Sequence, residues 1–204
     1  MPEFYHNLIT EKSFKILQDL KQKFQFILIG GWAIFLYSQA LKSKDIDIIL
    51  DYDELGKFRK EFELFKNERL KKYEVKIGEI DIDIYLPYFS NLGMPVEEIQ
   101  NYCQSIEGFL VPIPEILLIL KTYAYESRKG TNKGKKDLID IFSLIKKETI
   151  DWQKYQELVK KYHLKKINKQ LKDLISSTKS LSELNLLNHK ISRLKKKALA
   201  EIEL

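Results

Sequence analysis

The sequence predicts an α+β fold: an N-terminal mixed β-sheet with flanking helices over residues 1–111, followed by a C-terminal helical bundle over 112–204. Three observations carry this. Short isoleucine-rich runs bounded by glycine or proline recur as far as Val111, the pattern of strands. Beyond Pro112 and Pro114 the apolar residues fall at helical spacing. The chain of 204 residues is 44% hydrophobic and 31% charged, enough for a real core under a solvated surface, which excludes a disordered or fibrous class.

The elements follow in order. Residues 11–22 read as a helix with Phe14, Ile16, Leu17 and Leu20 on one side. Gln25 to Ile29 is a buried strand that ends at Gly30-Gly31, and residues 32–41 form the next helix. Asp45 to Leu50 is an isoleucine-rich strand. Residues 53–66 are helical, with Leu55, Phe58, Phe62 and Phe65 recurring. A hairpin comes next: Tyr73 to Ile77 alternates, Gly78-Glu79 turns, and Ile80 to Leu86 alternates again before Pro87. A short helix is expected over 96–104 and a short strand over Gly108 to Val111.

Pro114 suits the first turn of a helix, with Glu115 near the positive end of its dipole. Arg128 to Lys136, with Gly130 and Gly134, reads as a flexible basic loop between that helix and helices at 136–147 and 151–162. Leu171, Leu174 and Ile175 continue the helical pattern up to a break at Ser176 to Ser180. Ser180 and Glu183 form a capping-box pattern for a last helix, whose Leu184, Leu187, Ile191, Leu194 and Ala198 make a seam to bury against the chain's own helices.

Composition narrows the setting. The longest apolar runs fall far short of the roughly 20 residues that span a bilayer, so no membrane partner is expected. Glu3, His6 and Glu11 interrupt the N-terminus, unlike a signal peptide. Cys103 is the only cysteine, so no intrachain disulfide forms, which fits a cytoplasmic protein. His6, His163 and His189 show no zinc-ligand spacing. The net charge of +6 is uneven: residues 151–204 hold 13 Lys and Arg against 6 Asp and Glu, and residues 1–150 hold 22 against 23. Such a basic segment attracts phosphate-bearing partners, or is a solvated helix face.

Chemistry concentrates between Ile29 and Tyr85. A strand, two glycines and a helix let a backbone approach a phosphate at a helix N-terminus. Alternation puts Asp45 and Asp47 on one face of a strand, about 7 Å apart. Asp81 and Asp83 repeat the device on a second strand, with Ile80, Ile82 and Ile84 on its other face. Four carboxylates on two strands repel one another unless a cation offsets them. Magnesium is the ion that takes one or two carboxylates plus substrate phosphates. Trp32 packs in the core or stacks on a base, Tyr85 and Tyr88 line the cleft or pack, and Ser43 in the loop before Asp45 bonds a phosphate or is an ordinary loop residue.

The run Gly30-Gly31, thirteen residues, Asp45-Ile46-Asp47 and a later strand bearing Asp81 or Asp83 resembles the polymerase-β-like nucleotidyltransferase superfamily, over about residues 25–87. The resemblance implies that Asp45 and Asp47 bind two magnesium ions. It implies that Asp83, with Asp81 as the alternative, binds one of them and helps activate the attacking hydroxyl, while Gly30 and Gly31 cradle a nucleoside triphosphate. The helical half is similar to toxin-type and abortive-infection-type nucleotidyltransferases, on Lys121, Arg128, Lys136, Asp137 and Asp140. In those, a lysine contacts nucleotide phosphates, and a positive charge there would stabilise the transition state.

The expected activity is two-metal transfer of a nucleoside monophosphate from an NTP to an acceptor hydroxyl. The basic back half favours RNA, such as tRNA, or protein as acceptor. A toxin role with an antitoxin partner follows from the second resemblance only. The alternatives are an aminoglycoside-like small acceptor and an inactive nucleotide- or nucleic-acid-binding module.

Overall fold

In a computed structural model of the chain, which describes residues 7–187 and 189–202, the front half alternates helices with short strands. Helix α1 (Asn7–Lys23) buries Leu17 and Leu20. Strand β1 (Ile27–Ile29) is buried throughout and runs straight into helix α2 (Gly30–Ser38). Strand β2 (Ile46–Ile49) leads to α3 (Tyr52–Glu61), whose first turn is capped by Asp51. Three strands follow, β3 (Phe65–Asn67), β4 (Lys72–Ile77) and β5 (Ile80–Tyr85), then the short helix α4 (Val96–Ile99), a 3-10 turn at Gln100–Tyr102, and strands β6 (Cys103–Ile106) and β7 (Phe109–Pro112).

From Pro114 the structure is helical: α5 (Pro114–Arg128), α6 (Asn132–Lys146), α7 (Trp152–Lys161), α8 (Lys165–Ser177) and α9 (His189–Ile202). Pro114 begins α5 with Glu115 in its first turn, where a missing N–H costs nothing and a carboxylate is favoured. Glu115 is buried and accepts the Asp151 backbone N–H at 2.6 Å, tying the start of α5 to the cap of α7. No described helix is long and apolar enough to cross a membrane. His6 lies outside the described residues.

The strands form one mixed sheet in the order β3-β4-β5-β2-β1-β7-β6. β2 runs antiparallel to β1 and parallel to β5, so it sits at the middle of the sheet between two buried neighbours. Ile46, Ile48, Ile80, Ile82 and Ile84 are all buried on one face, as their alternation requires. The opposite face therefore carries Asp47, Asp81 and Asp83. Helix α2 packs on β1 and β2 and is met from the far side by α5 and α6, which brings the helical half against the sheet at the Gly30-Gly31 bend. A continuous cluster of buried apolar side chains runs through both halves.

Several sequence expectations change. α3 stops at Glu61, because Phe58 and Phe62 stack around Phe24 (ring centroids 4.4 and 6.2 Å from it) while Phe65 leaves to pair with β4 at the exposed sheet edge. The expected helix over 96–104 ends early, and Cys103–Ile106 is a strand. Glu107 and Gly108 both have positive φ (49° and 75°), the backbone of a tight two-residue hairpin that folds β6 onto β7. The basic loop after Arg128 is only three residues long. Thr131 accepts the Gly134 N–H at 3.0 Å and starts α6 four residues sooner than periodicity indicates.

The Ser180/Glu183 capping box does not form. Leu181 bridges to Leu186 around a 3-10 turn at Ser182–Leu184, Glu183 pairs with Lys135, and α9 begins only at His189. The seam does bury against the chain's own helices: Ile191 and Ala198 are covered where α9 packs on α6, α7 and α8, while Leu187, ahead of the helix, stays exposed.

Asp51 supplies the only side-chain cap of α3, accepting the Glu54 N–H at 2.7 Å. Asp51→Ala is expected to lower stability by about 1 kcal/mol in urea denaturation, leaving the slope of the transition unchanged.

Candidate active site

The Gly30-Gly31 bend is fixed by what touches it. Gly30 has φ +68°, in the left-handed region that glycine adopts freely, and a Cβ there would lie 2.6 Å from Cγ of Asp47. A Cβ on Gly31 would meet Lys136 Nζ and Ser43 Oγ, each at 2.7 Å. Both glycines are thus places where side chains of β2, of the loop before it and of α6 press against backbone. The Ile29 cap of α2 offers no side-chain acceptor to the first-turn N–H groups, and such a helix start favours an anion.

Ser43, Asp45, Asp47, Asp83, Lys121, Arg128, Lys133, Lys136 and Asp137 line one cavity of about 40 Å³ at this bend. The side chains come from both halves of the chain. Asp47 and Asp83 are direct partners in the parallel β2–β5 ladder, and Asp83 is the partner of Glu74 in the β4–β5 hairpin. Asp47, Asp83 and Glu74 thus form a row across three strands, stepped about 4.8 Å apart. Asp45 sits in the bend just before β2, with its Oδ1 buried and without a hydrogen-bond partner. Asp81 lies two residues from Asp83 on the same strand face, opposite Lys76, and does not line the cavity.

Charge in the cavity is tightly interlocked. The Lys121 ammonium is buried between Asp137 Oδ1 (2.9 Å) and Asp140 Oδ2 (2.8 Å). Burial alone would lower its pKa, but the charges of Asp140 and Asp137 hold it well above the ordinary lysine value. Arg128 reaches the other Asp137 oxygen at 3.4 Å. Lys136 donates to Ser43 Oγ at 2.8 Å; burial lowers its pKa, and the Lys121 charge adds to that while nearby aspartates oppose it. Burial, and after it the Asp47 charge, push Asp83 up to about 6 against the opposing pull of Lys72. Tyr85 is buried behind the two aspartates, and burial followed by their charges raises its phenol well above the usual range.

Of the residues singled out from sequence, Asp45, Asp47, Asp83, Ser43, Lys121, Arg128, Lys136 and Asp137 converge on the cavity, with Gly30 and Gly31 at its floor. Trp32 is a core residue: its Nε1 donates to Ser13 Oγ at 2.9 Å, and its ring packs 5.1 Å from that of Phe14. Tyr88 is exposed outside the cavity.

Sequence reasoning missed three participants. Lys133 reaches Asp45 Oδ2 at 3.6 Å from the first turn of α6, and Lys72 pairs with Asp83 Oδ2 at 2.6 Å and with Glu74 at 2.9 Å. The signal for Glu74 was present. A two-residue turn at Gly78-Glu79 sets the hairpin register and places Glu74 opposite Asp83.

Among the described residues, no three carboxylate, imidazole or thiol groups stand close enough together to grip a metal ion as they are. Two of the three aspartates point an oxygen at a lysine. The donor set nevertheless fits a hard divalent cation. It offers carboxylate oxygens only, one of them buried and unsatisfied on Asp45, and two more on adjacent strands whose mutual repulsion a cation would relieve.

No protein-family model matches the chain, and no curated protein matches it significantly. Solved structures share its architecture, two of them as follows. ANT(2'')-Ia, determined in complex with adenylyl-2''-tobramycin, aligns with a TM-score of 0.54 at 15% identity, covering 76% of this chain and 96% of that one. An H. pylori protein assigned as a nucleotidyltransferase aligns with a TM-score of 0.53 at 18% identity, covering 96% and 92%. At these identities the likeness is one of fold: the chain has an α+β nucleotidyltransferase fold with a helical C-terminal region.

The Lys121 ion pairs are the most deeply buried of the structure's charges, and removing the cation would leave two carboxylates uncompensated. Lys121→Met is expected to destabilise the fold by about 3–5 kcal/mol in urea denaturation. Lys23→Met, which breaks the exposed 2.6 Å pair with Glu61, should change stability by less than about 1 kcal/mol. Gly30→Ala is expected to lower stability and displace Asp47 together, because the new methyl group and the carboxylate claim the same space.

Proposed function

We propose that the chain is a metal-dependent nucleotidyltransferase that moves a nucleoside monophosphate from an NTP to an acceptor hydroxyl. One observation carries this reading: Asp45, Asp47 and Asp83 meet Lys121, Arg128 and Lys136 in a single cavity at the foot of the Gly30-Gly31 bend. The fold shared with other nucleotidyltransferases supports it.

In this reading Asp45, Asp47 and Asp83 hold magnesium. Bound divalent ions would supply a Lewis acid for the phosphate oxygens and favour ionisation of the acceptor hydroxyl. The chain's own side chains do the rest. The Gly30-Gly31 backbone at the start of α2 receives the triphosphate on its first-turn N–H groups, which carry no side-chain cap. Lys136, held on Ser43, and Arg128, at the cavity edge, place positive charge beside the transferring phosphoryl group, where negative charge is spread in the transition state. Lys121 spends its ammonium on Asp137 and Asp140 and so fixes α5 against α6, the wall that aims Lys136 and Arg128. Asp83 is the preferred third carboxylate over Asp81, because it stands beside Asp47 in register.

The catalytic division is taken as residues 1–111, with the helical domain 112–204 closing the site. RNA, such as tRNA, or protein is the preferred acceptor, on the strength of the 13 basic residues in the last 54. A cytoplasmic setting and a toxin role with an antitoxin partner belong to the same proposal. Growth arrest on expression that Asp47→Asn relieves tests the toxin role alone. A second reading, a small cationic acceptor, is favoured by the row Asp47, Asp83 and Glu74. An inactive binding module is disfavoured by the full set of carboxylates in the cavity.

The activity test uses each of the four radiolabelled NTPs with magnesium and, in parallel, total RNA, total protein or an aminoglycoside. Label transfer by the wild type and a loss of at least about a thousandfold with Asp47→Asn are expected. Absence of transfer to every acceptor, or equal transfer by Asp47→Asn, defeats the reading. The acceptor that takes label decides between macromolecular and small-molecule chemistry.

A further inference from the structure

The row of carboxylates across β2, β5 and β4 holds a cation of the protein's own. Lys72, at the first position of β4, puts its Nζ 2.6 Å from Asp83 Oδ2 and 2.9 Å from Glu74 Oε1, with only 11% of its side chain exposed. Glu74 is in turn held by Asn67 of β3, whose Nδ2 donates to Oε1 at 3.0 Å. The ammonium thus has two carboxylate partners, one in the catalytic cavity and one just outside it. Asp83 lines that cavity, and its other neighbour in the row is Asp47.

We propose that Lys72 is a displaceable counter-cation for Asp83, which a divalent metal replaces while Glu74 retains the released ammonium. This inference rests on the nucleotidyltransferase reading and adds a positioning residue to its site. Two cations cannot share Asp83 Oδ2 at contact distance without repelling each other, so metal entry requires Lys72 to withdraw. Withdrawal is cheap because Glu74 stands one strand further from Asp47 and keeps the ammonium paired. Without Lys72, Asp83 and Glu74 would face each other as bare partners across the hairpin, the like-charge pairing that destabilises a sheet. Lys72 thus keeps the metal-free sheet intact and sets the metal concentration at which the site assembles. The β4 position makes the exchange local: it needs a rotamer change at a strand end next to the Glu68–Lys71 turn, and no rearrangement of β2 or β5.

The test is thermal denaturation of the full chain titrated with magnesium or manganese alone, compared among wild type, Lys72→Met and Glu74→Gln. A metal that binds the folded chain raises the transition temperature by mass action, so the midpoint of that rise reports affinity without any need for turnover. Lys72→Met removes the competitor and is expected to lower the midpoint concentration about fivefold or more. Glu74→Gln removes the alternative partner, leaves Lys72 on Asp83 and is expected to raise the midpoint by a similar factor. A merely structural role would lower the metal-free transition temperature in both variants and move neither midpoint. Lys72→Gln repeats the comparison should the methionine variant fail to fold. If the wild type responds to metal and the variants share its midpoint, the counter-cation role falls and the nucleotidyltransferase reading stands. If the wild type shows no metal-linked rise, the counter-cation role falls, and label transfer alone decides the nucleotidyltransferase reading.

Discussion

Repulsion among buried carboxylates is the constraint from which the rest of this structure follows. Two like charges about 4 Å apart at an effective dielectric near 20 oppose each other by about 4 kcal/mol, comparable to the whole stability of a small domain. The sheet nevertheless sets Asp47 beside Asp83 and Asp83 beside Glu74, and α6 adds Asp137 and Asp140. Asp83, Glu74, Asp137 and Asp140 are each answered by a lysine or arginine: Lys72 on the hairpin, Lys121 on α5 and Arg128 at the rim; Lys133 answers Asp45. Four of the nine cavity-lining side chains are acidic and four are basic. Ion pairs of this kind seldom add net stability over apolar packing of the same volume, yet breaking one by removing a partner is severe.

The lysines do not play one role. Lys121 is locked by two carboxylates, with burial making its charge harder to hold and those carboxylates more than restoring it. Lys136 is buried too and donates to the Ser43 hydroxyl; burial lowers its pKa, with the nearby Lys121 charge adding to that and the aspartates opposing it. The two lysines thus sit in different settings, Lys121 between the carboxylates of α6 and Lys136 against the loop before β2.

How much of this was legible in the sequence depends on how local the signal is. Gly30-Gly31, Asp45-Ile46-Asp47 and Ile80-Asp81-Ile82-Asp83 are short-range patterns, and strand alternation put Asp47, Asp81 and Asp83 on one face, whereas Asp45, expected in the strand, lies in the bend before β2. Pro114 and the Gly78-Glu79 turn marked real boundaries for the same reason. The failures lie where a tertiary contact overrides periodicity. Phe65 keeps the spacing of Leu55, Phe58 and Phe62, but sheet pairing takes it out of the helix. Ser180 and Glu183 have the spacing of a cap, but Lys135 on another helix claims the glutamate. Lys72 and Lys133 were invisible as site residues because a lone lysine in a lysine-rich chain carries no local pattern; only the strand register and the Thr131 cap aim them at Asp83 and Asp45.

The two glycines set the spacing of these charges. Gly30 and Gly31 let Asp47 and Lys136, opposite in charge, approach one backbone bend from two directions. A Cβ at either position would push one of them away, and the charge balance would fail along with the packing. The bend is also where β1 ends and α2 begins, so the same few atoms set the strand that carries the sheet, the helix that packs on α5 and α6, and the spacing between carboxylate and ammonium. Sheet order then explains why the acids converge here: β2 lies between β1 and β5, so the strand that ends in glycine and the two that carry the aspartates are consecutive neighbours. The helical half is needed because a sheet supplies only the acidic face of such a cavity. The basic face has to come from elements that approach from outside, and α5 and α6 bring Lys121, Arg128, Lys133 and Lys136 to it.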